Sequence, residues 1–207
     1  ERFDETDVLV LRALADQIAI AVEDARLYSD LRLHADQLSA VAEVSRVVAS
    51  ILDLDRLLDE VVGLIHEQFG YPFVQLFTVD VAEQRIVYRA GWPARPPGSL
   101  EEGQAVCDLD ESEGIVAWVA SHGEAVLAND VHQDPRYRQV APPLIEARAQ
   151  LAVPLMFGGE VLGVLDVQSD RRGAFSEDDH FLFKALADSV AIAIRNANLY
   201  RSERWRR

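Results

Sequence analysis

The feature that most constrains this chain is a segment that occurs twice, once near each end. Residues 3–32 and residues 175–204 align without a gap and are identical at 14 of 30 positions, where average composition produces roughly two matches by chance. Nothing in residues 33–174 repeats in this way. We therefore predict that residues 1–32 are the C-terminal helix of a preceding domain, running into a linker helix. Residues 33–207 are then one complete domain that ends in the equivalent, signalling helix.

The N-terminal side of the chain is predicted to be one long helix from about Asp7 to Leu52, because neither Pro nor Gly occurs between Glu1 and Gly63. From residue 27 onward, its apolar residues alternate in steps of four and three, which is the spacing of a coiled-coil seam. Two polar residues, His34 and Ser45, interrupt the seam. The pattern predicts a homodimer joined through its terminal helices, with seam residues Leu27, Leu31, Leu38, Val41 and Val48. The alternative is that this stripe packs on the domain's own sheet.

The charge balance limits the classes of partner. The chain carries 35 acidic and 20 basic residues, a net charge of -15, whereas nucleic acids and anionic membranes attract basic surfaces. We therefore expect no nucleic-acid binding. We also expect no membrane insertion by this fragment, since no apolar run reaches the ~18 residues of a membrane helix. A single cysteine, Cys107, excludes an intrachain disulfide framework. Together with a start that does not read as a signal peptide, these features predict a cytoplasmic protein.

The remaining elements predict an α+β fold with a largely antiparallel sheet. A helix is expected from Asp53 or Asp55 to Phe69, a short helix from Ser112 or Gly114 to Ser121, and a last helix capped by Ser176. The acid-rich segment 99–113 is expected to form a solvated loop. Residues 129–149 are expected to form a long loop with at most one helical turn. Strands are predicted for residues 73–80, 85–90, 125–128, 150–157 and 160–169.

Short motifs in the second part of the chain, taken in order, resemble those of a GAF domain. They are Glu113-Gly114-Ile115-Val116-Ala117-Trp118-Val119, Gly123-Glu124, Asn129-Asp130-Val131, Asp134-Pro135-Arg136-Tyr137, Val153-Pro154-Leu155, Gly163-Val164-Leu165, Phe175 with Asp178-Asp179, and Asn196-Ala197 with Leu199-Tyr200. The resemblance covers about residues 36–202. It implies a five- or six-stranded sheet with a helical bundle on one face and a short helix and pocket loops on the other. It also implies a regulatory module, commonly part of a sensor histidine kinase or a diguanylate cyclase.

Polar residues within the strands mark the candidate ligand site. Strand alternation places Gln75 with Phe77 on one face of their strand, and Asp166 with Gln168 on one face of theirs. In a fold resembling a GAF domain this face lies under the pocket loops, whereas a plain solvent-facing sheet surface is the alternative. Asp166 favours a cationic or hydrogen-bond-donating ligand, and the helix start at Ser112 favours an anion, so the ligand's charge stays open. Candidates for the rim are Trp92, Trp118, Asn129, Asp130 and Tyr137, with a core position as the alternative for Trp118.

No catalytic or metal-ligating set is predicted. Asp108 and Asp110 beside Cys107 disfavour a reactive thiolate, and relatives that reduce methionine sulfoxide need a second cysteine. Asp108, where bilin-binding relatives typically have His, argues against bilin, and Asp130, where cyclic-nucleotide-binding relatives have Lys, argues against that subclass. Because His122 and His132 border the pocket region, a haem-binding gas or redox sensor remains a minor alternative. The prediction is a non-enzymatic sensor and relay module of unknown cofactor, coupled to an output domain such as a histidine kinase. A structural dimerisation and spacer domain without a ligand is the alternative.

Overall fold

The computed structural model describes residues 5–48, 51, 53–93, 101–109, 114–138 and 146–204. The chain divides into two compact units, Glu1–Ala40 and Val41–Arg207. The first unit is helical throughout its described part, which belongs to helix α1, Glu5–Val48. The predicted long helix is confirmed, and the lack of Pro and Gly accounts for its length. Among the described residues, no helix combines the length and hydropathy of a membrane span.

The second unit is built on a six-stranded sheet in which every pair of neighbouring strands is antiparallel. The strand order is β3-β2-β1-β6-β5-β4. In chain order, the elements after α1 are α2 (Leu54–Phe69), β1 (Phe73–Asp80), β2 (Arg85–Trp92), β3 (Ala105–Asp108), α3 (Ile115–His122), β4 (Val126–Ala128), a 3-10 turn (Val131–Gln133), β5 (Ala149–Phe157), β6 (Glu160–Ser169) and α4 (Glu177–Arg204). The predicted α+β class is confirmed.

Side-chain caps explain where the helices begin and end. The Asp53 carboxylate accepts a hydrogen bond from the backbone N–H of Arg56, and Gly70 ends α2 in the left-handed conformation that glycine favours. Before α4, the Ser176 hydroxyl accepts from the N–H of Asp179, whose carboxylate accepts in return from the N–H of Ser176. These caps confirm the predictions for Asp53, Gly70 and Ser176. The proposed cap Ser112 lies outside the described residues, and Gly114 precedes α3 without a side-chain cap.

Apolar cores lie on both faces of the sheet. On one face, which we call the helix side, α2 and α4 pack on strand residues that include Val74, Leu76, Leu151, Leu165 and Val167. On the opposite face, a smaller cluster, which we call the α3-side cluster, joins α3 to Phe77, Ile86 and Val164. This arrangement confirms the predicted layers, with the long helices on one face and the short helix on the other.

The C-terminal part of the predicted dimer seam packs against the core of its own domain. Val44 is fully buried, Val41 packs against the helix-side core, and the Ser45 hydroxyl donates to the Ser189 hydroxyl of α4 at 3.0 Å. The assignment of Val41 to an intermolecular seam is therefore corrected, since its partners are in its own domain. The side chain of Val48, like Leu52, lies outside the described residues. Leu27, Leu31 and Leu38 are exposed, so their place in a seam stays a prediction.

One strand lies where the sequence predicted only a solvated loop. Residues 105–108 form β3, which pairs with β2 and places Cys107 opposite Ile86. Cys107 is half-buried and packs against the α3-side cluster, so its placement in an exposed loop was wrong. The three apolar residues 105–107 suffice for a strand here because β2 otherwise ends the sheet with unpaired backbone groups.

Candidate functional site

Four polar side chains share the face of the sheet that is turned away from α2 and α4. Gln75 on β1 lies opposite Asp166 on β6, and Gln150 on β5 lies opposite Gln168 on β6. Residues opposite each other in an antiparallel pair point to the same face, as do alternate residues of one strand. The intervening Leu165 and Val167 belong to the helix-side core. We call Gln75, Gln150, Asp166 and Gln168 the polar cluster.

Asp166 is the centre of the polar cluster and has no exposed surface. One carboxylate oxygen accepts a hydrogen bond from Gln150 Nε2 at 2.6 Å, and the other accepts one from Gln168 Nε2 at 2.7 Å. Burial raises the pKa of Asp166 to about 6, although these two amide donors oppose the increase. A carboxyl group with such a pKa changes its charge near neutral pH and responds to any charged or polar group placed beside it.

The part of the same face that lies under α3 is apolar. Phe77 and Tyr88 are packed edge to face, with ring centroids 5.8 Å apart. The Tyr88 hydroxyl lies over Gly91, where a Cβ atom would overlap the hydroxyl oxygen. Because Gly91 lies opposite Gln75, the missing side chain allows Tyr88 to bring its hydroxyl beside the polar cluster. The site therefore combines an apolar floor with polar groups at one end, which is typical of small-molecule sites.

Tyr137 lies at the edge of the polar cluster. It is half-buried and packs against the α3-side cluster. Burial raises the pKa of Tyr137, and the negative charges of Asp166 and Glu146 raise it further. The assignment of Tyr137 to the pocket rim stays a prediction.

A chain of side-chain contacts connects α3 to the segment that precedes Tyr137. The Arg136 guanidinium lies 4.6 Å from the centre of the Trp118 ring, which also stacks on His122. Asp134 holds Arg136 through two hydrogen bonds of 2.9 and 2.7 Å, and the Arg136 side chain lowers the pKa of Asp134. Trp118 packs against the α3-side cluster, so this contact chain fixes the loop over the apolar floor.

The structure places Trp92 on the other face of the sheet. Its ring stacks on His66 of α2 with centroids 4.8 Å apart, and it packs against the helix-side core. The prediction that Trp92 lines the pocket rim is corrected accordingly. A β-bulge is the physical reason, because the register of β1 and β2 shifts between Leu76 and Phe77 and puts Trp92 opposite Val74.

Asn129 and Asp130 hold the loop together and do not reach the polar cluster in the contacts observed. The Asn129 side chain donates to the carbonyl of Phe175 at 2.8 Å and accepts from its N–H at 3.0 Å. Asp130 accepts from the N–H of His132 and pairs with Arg172 at 3.4 Å. These contacts give both side chains a structural role, and their assignment as ligand-binding residues stays a prediction.

Gln150, Tyr88 and Arg136 are the residues of this region that sequence reasoning missed. Gln150 is almost fully buried and donates to Asp166. Counting back from the Gly158-Gly159 turn places Gln150 opposite Val167, on the helix side. A register shift between Leu155 and Met156 moves it opposite Gln168. The strand alternation of Gln75, Asp166 and Gln168, read with the resemblance to a GAF domain, signalled this site in the sequence.

The described residues contain no arrangement of His, Cys, Asp and Glu in which three or more side chains gather as a metal site would require. His122 and His132 are both exposed. The Nδ1 atom of His122 lies within hydrogen-bonding distance of the Trp118 carbonyl at the end of α3. The His132 ring packs edge to face with Tyr137, with centroids 5.8 Å apart.

Comparison with known proteins relates the chain to a described family. A family model described as a GAF domain matches residues 51–195. The chain is 29% identical over 156 residues to a probable 3',5'-cyclic phosphodiesterase, pde-5, of Caenorhabditis elegans, and 24% identical over 196 residues to the formate hydrogenlyase transcriptional activator of Salmonella typhimurium. The solved GAF domain of a phosphoenolpyruvate-protein phosphotransferase from Coxiella burnetii has a TM-score of 0.72 at 21% identity, covering 81% of this chain and 98% of that one.

The two curated relatives are much longer than this chain. The matches cover 72% and 92% of this chain but only 21% and 28% of the phosphodiesterase and of the activator, respectively. The similarity therefore concerns one module within each relative.

Proposed function

The chain belongs to the GAF domain family, and from that premise we propose that it is a non-catalytic sensory module that binds a small ligand at the polar cluster and relays the event to an output domain. The observation that carries the proposal is Asp166, a carboxyl group fully buried within a sheet. Stability alone does not call for such a group, because burying a carboxylate costs free energy. Buried ionisable groups with raised pKa values concentrate at functional sites.

The chemistry of the cluster favours a ligand that donates hydrogen bonds. An amine or amide placed beside Asp166 stabilises its ionised form, which burial otherwise disfavours. The amide groups of Gln75 and Gln168, both half-buried, supply donors and acceptors for the rest of the ligand. Tyr88 and Tyr137 add aromatic surface next to these polar groups. We therefore propose a small organic ligand that carries an amine or amide and an apolar portion.

The sheet supplies the route from the site to the terminal helices. Asp166 lies in β6 between Leu165 and Val167, whose side chains pack on the opposite face within the core shared with α2 and α4. A change in the charge or position of Asp166 therefore acts on a strand that also supports the helices. In our proposal, the helices of a homodimer have two arrangements, and ligand binding favours one of them.

The output domain is proposed to lie in the same full-length chain. The relatives described as a cyclic phosphodiesterase and a transcriptional activator support a module that serves different outputs. We propose a cytoplasmic signalling protein, with a sensor histidine kinase as the output. A non-catalytic role accords with Cys107, which lies on β3 packed against the α3-side cluster.

Ligand retention tests this proposal directly. Native mass spectrometry of protein purified from its natural host is expected to show a bound small molecule on the wild type. In the double variant Asp166→Leu, Gln168→Leu, the fraction of protein that carries the ligand is expected to fall about tenfold, because the variant lacks the carboxyl group and one amide of the cluster. Glu160→Leu, at the exposed start of β6, is the matched control and should retain the ligand. Wild-type protein that never carries a ligand would instead favour a dimerisation and spacer domain.

Dimerisation through α1 is a separate prediction. Leu31→Glu combined with Leu38→Glu is expected to convert a dimer into a monomer in sedimentation experiments at micromolar concentration, because each charge would be buried in the seam. Leu33 is as exposed as these residues but lies on another side of the helix. Leu33→Glu is therefore the control and should remain dimeric. A monomeric wild type would reject the seam.

A further inference from the structure

Helix α4 shows which side of the repeated segment belongs on a sheet. Its buried side chains lie along one side of the helix and belong mostly to the core that includes β5 and β6. The large members of this set are Leu182, Phe183, Leu186, Val190 and Ile194, and four alanines lie between and after them. This side is wider than a coiled-coil stripe, as expected for a helix that lies on a sheet.

The first copy of the repeat in α1 carries the same side. The offset of 172 residues places Val10, Leu11, Leu14, Ile18 and Val22 at the positions of the five large side chains. The four alanines of α4 are alanines in α1 as well. However, Leu14 and Ile18 are 50% and 63% exposed, whereas Leu186 and Val190 are fully buried. A single helix has no means of covering this surface by itself.

A second apolar stripe lies on the other side of both helices. Phe181, Ile192 and Leu199 of α4 are exposed, and they correspond to the exposed Leu9, Ile20 and Leu27 of α1. With about 100° per residue, this stripe lies roughly half a turn from Leu14 and Ile18. It continues into the spacing of Leu31 and Leu38. A second copy of the chain that covers the stripe therefore leaves the surface around Leu14 and Ile18 uncovered.

We propose that residues 10–25 of α1 are a docking surface for the helix-facing side of an antiparallel β-sheet in a second domain of this fold. In that domain, residues 3–30 take the place that α4 takes here. Every large buried position of α4 is a large apolar residue in α1 and every buried alanine is an alanine, which identifies the partner as a sheet. This docking surface is independent of any ligand at the polar cluster.

A helix transplant within the full chain tests this surface. Residues 179–200 are replaced by a second copy of residues 7–28, so that the α1 sequence must pack on the sheet of β5 and β6. The chimera is expected to unfold cooperatively, with a Tm within about 10 °C of the wild type. The matched control replaces the same 22 residues with residues 27–48 of α1. It puts Asp30 and His34 at the positions of Leu182 and Leu186, and should show no cooperative transition.

Other results of the transplant overturn the proposal. If both chimeras are unfolded, the surface does not fit a sheet of this kind, and if both fold, the sheet does not discriminate between helices. A second measurement is independent of these chimeras. Leu14→Glu with Ile18→Glu in the otherwise unchanged chain should leave the sedimentation mass unchanged, because the proposed partner is not a second copy. A loss of the dimer mass would assign this surface to self-association.

Discussion

Replacing Gly163 with valine is expected to lower the free energy of unfolding by about 3 kcal/mol. Gly163 lies on β6 directly opposite Thr78 of β1, at the centre of the sheet. A Cβ atom at this position would overlap the backbone carbonyl of Phe77 and press on the Leu155 side chain. The carbonyl belongs to a backbone that is hydrogen-bonded on both sides, so it has little freedom to move aside. Urea unfolding monitored by circular dichroism measures the effect.

Gly63 provides the matched control for the glycine substitution. It lies in α2, and a Cβ atom there meets nothing within 4 Å. Gly63→Ala is expected to stabilise the protein by about 0.5–1 kcal/mol, because alanine is the better helix former. If Gly163→Val retains stability within about 1 kcal/mol of the wild type, β1 and β6 do not approach each other as described.

Asp166→Asn is expected to stabilise the folded protein by about 3 kcal/mol above pH 6, using about 1.4 kcal/mol for each unit of pKa change. The pKa of Asp166 rises from 3.8 to about 6 on folding, because the carboxyl group loses contact with water. Above pH 6 the wild type therefore carries the full cost of an ionised buried group. Asparagine removes this charge, and its amide can bond to both glutamines if one of them turns its own amide over.

The pH dependence distinguishes this effect from a simple change in packing. As the pH falls from about 6 towards 4, the folded wild type takes up a proton that the unfolded chain does not, so its stability rises relative to the variant. The difference in unfolding free energy should therefore grow between pH 4 and pH 6 and then stay constant. Asp188→Asn, on an exposed position of α4, is the control and should show no such change. A difference that is independent of pH would contradict a buried, titrating Asp166.

The local elements were largely predictable because they depend on neighbouring residues. The uninterrupted run before Gly63 accounts for α1, and the caps at Asp53, Gly70 and Ser176 lie where the sequence placed them. Strand alternation correctly put Gln75, Asp166 and Gln168 on one face. β3 was missed because a strand of four residues in an acidic segment has little pattern of its own. It exists because β2 offers an edge with which to pair.

The sequence by itself determined the helices, most of the strands and the alternation of Gln75, Asp166 and Gln168 along their strands, since all of these follow from the spacing of residues along the chain. Only the tertiary structure decided which residues of different strands meet. A bulge changes the register by one residue and so exchanges the two faces of everything beyond it. The bulge beside Leu76 turns Trp92 towards the helices, and the bulge beside Leu155 turns Gln150 towards Asp166. Neither shift has a signal in the alternation of either strand, because a bulge depends on how two strands fit each other.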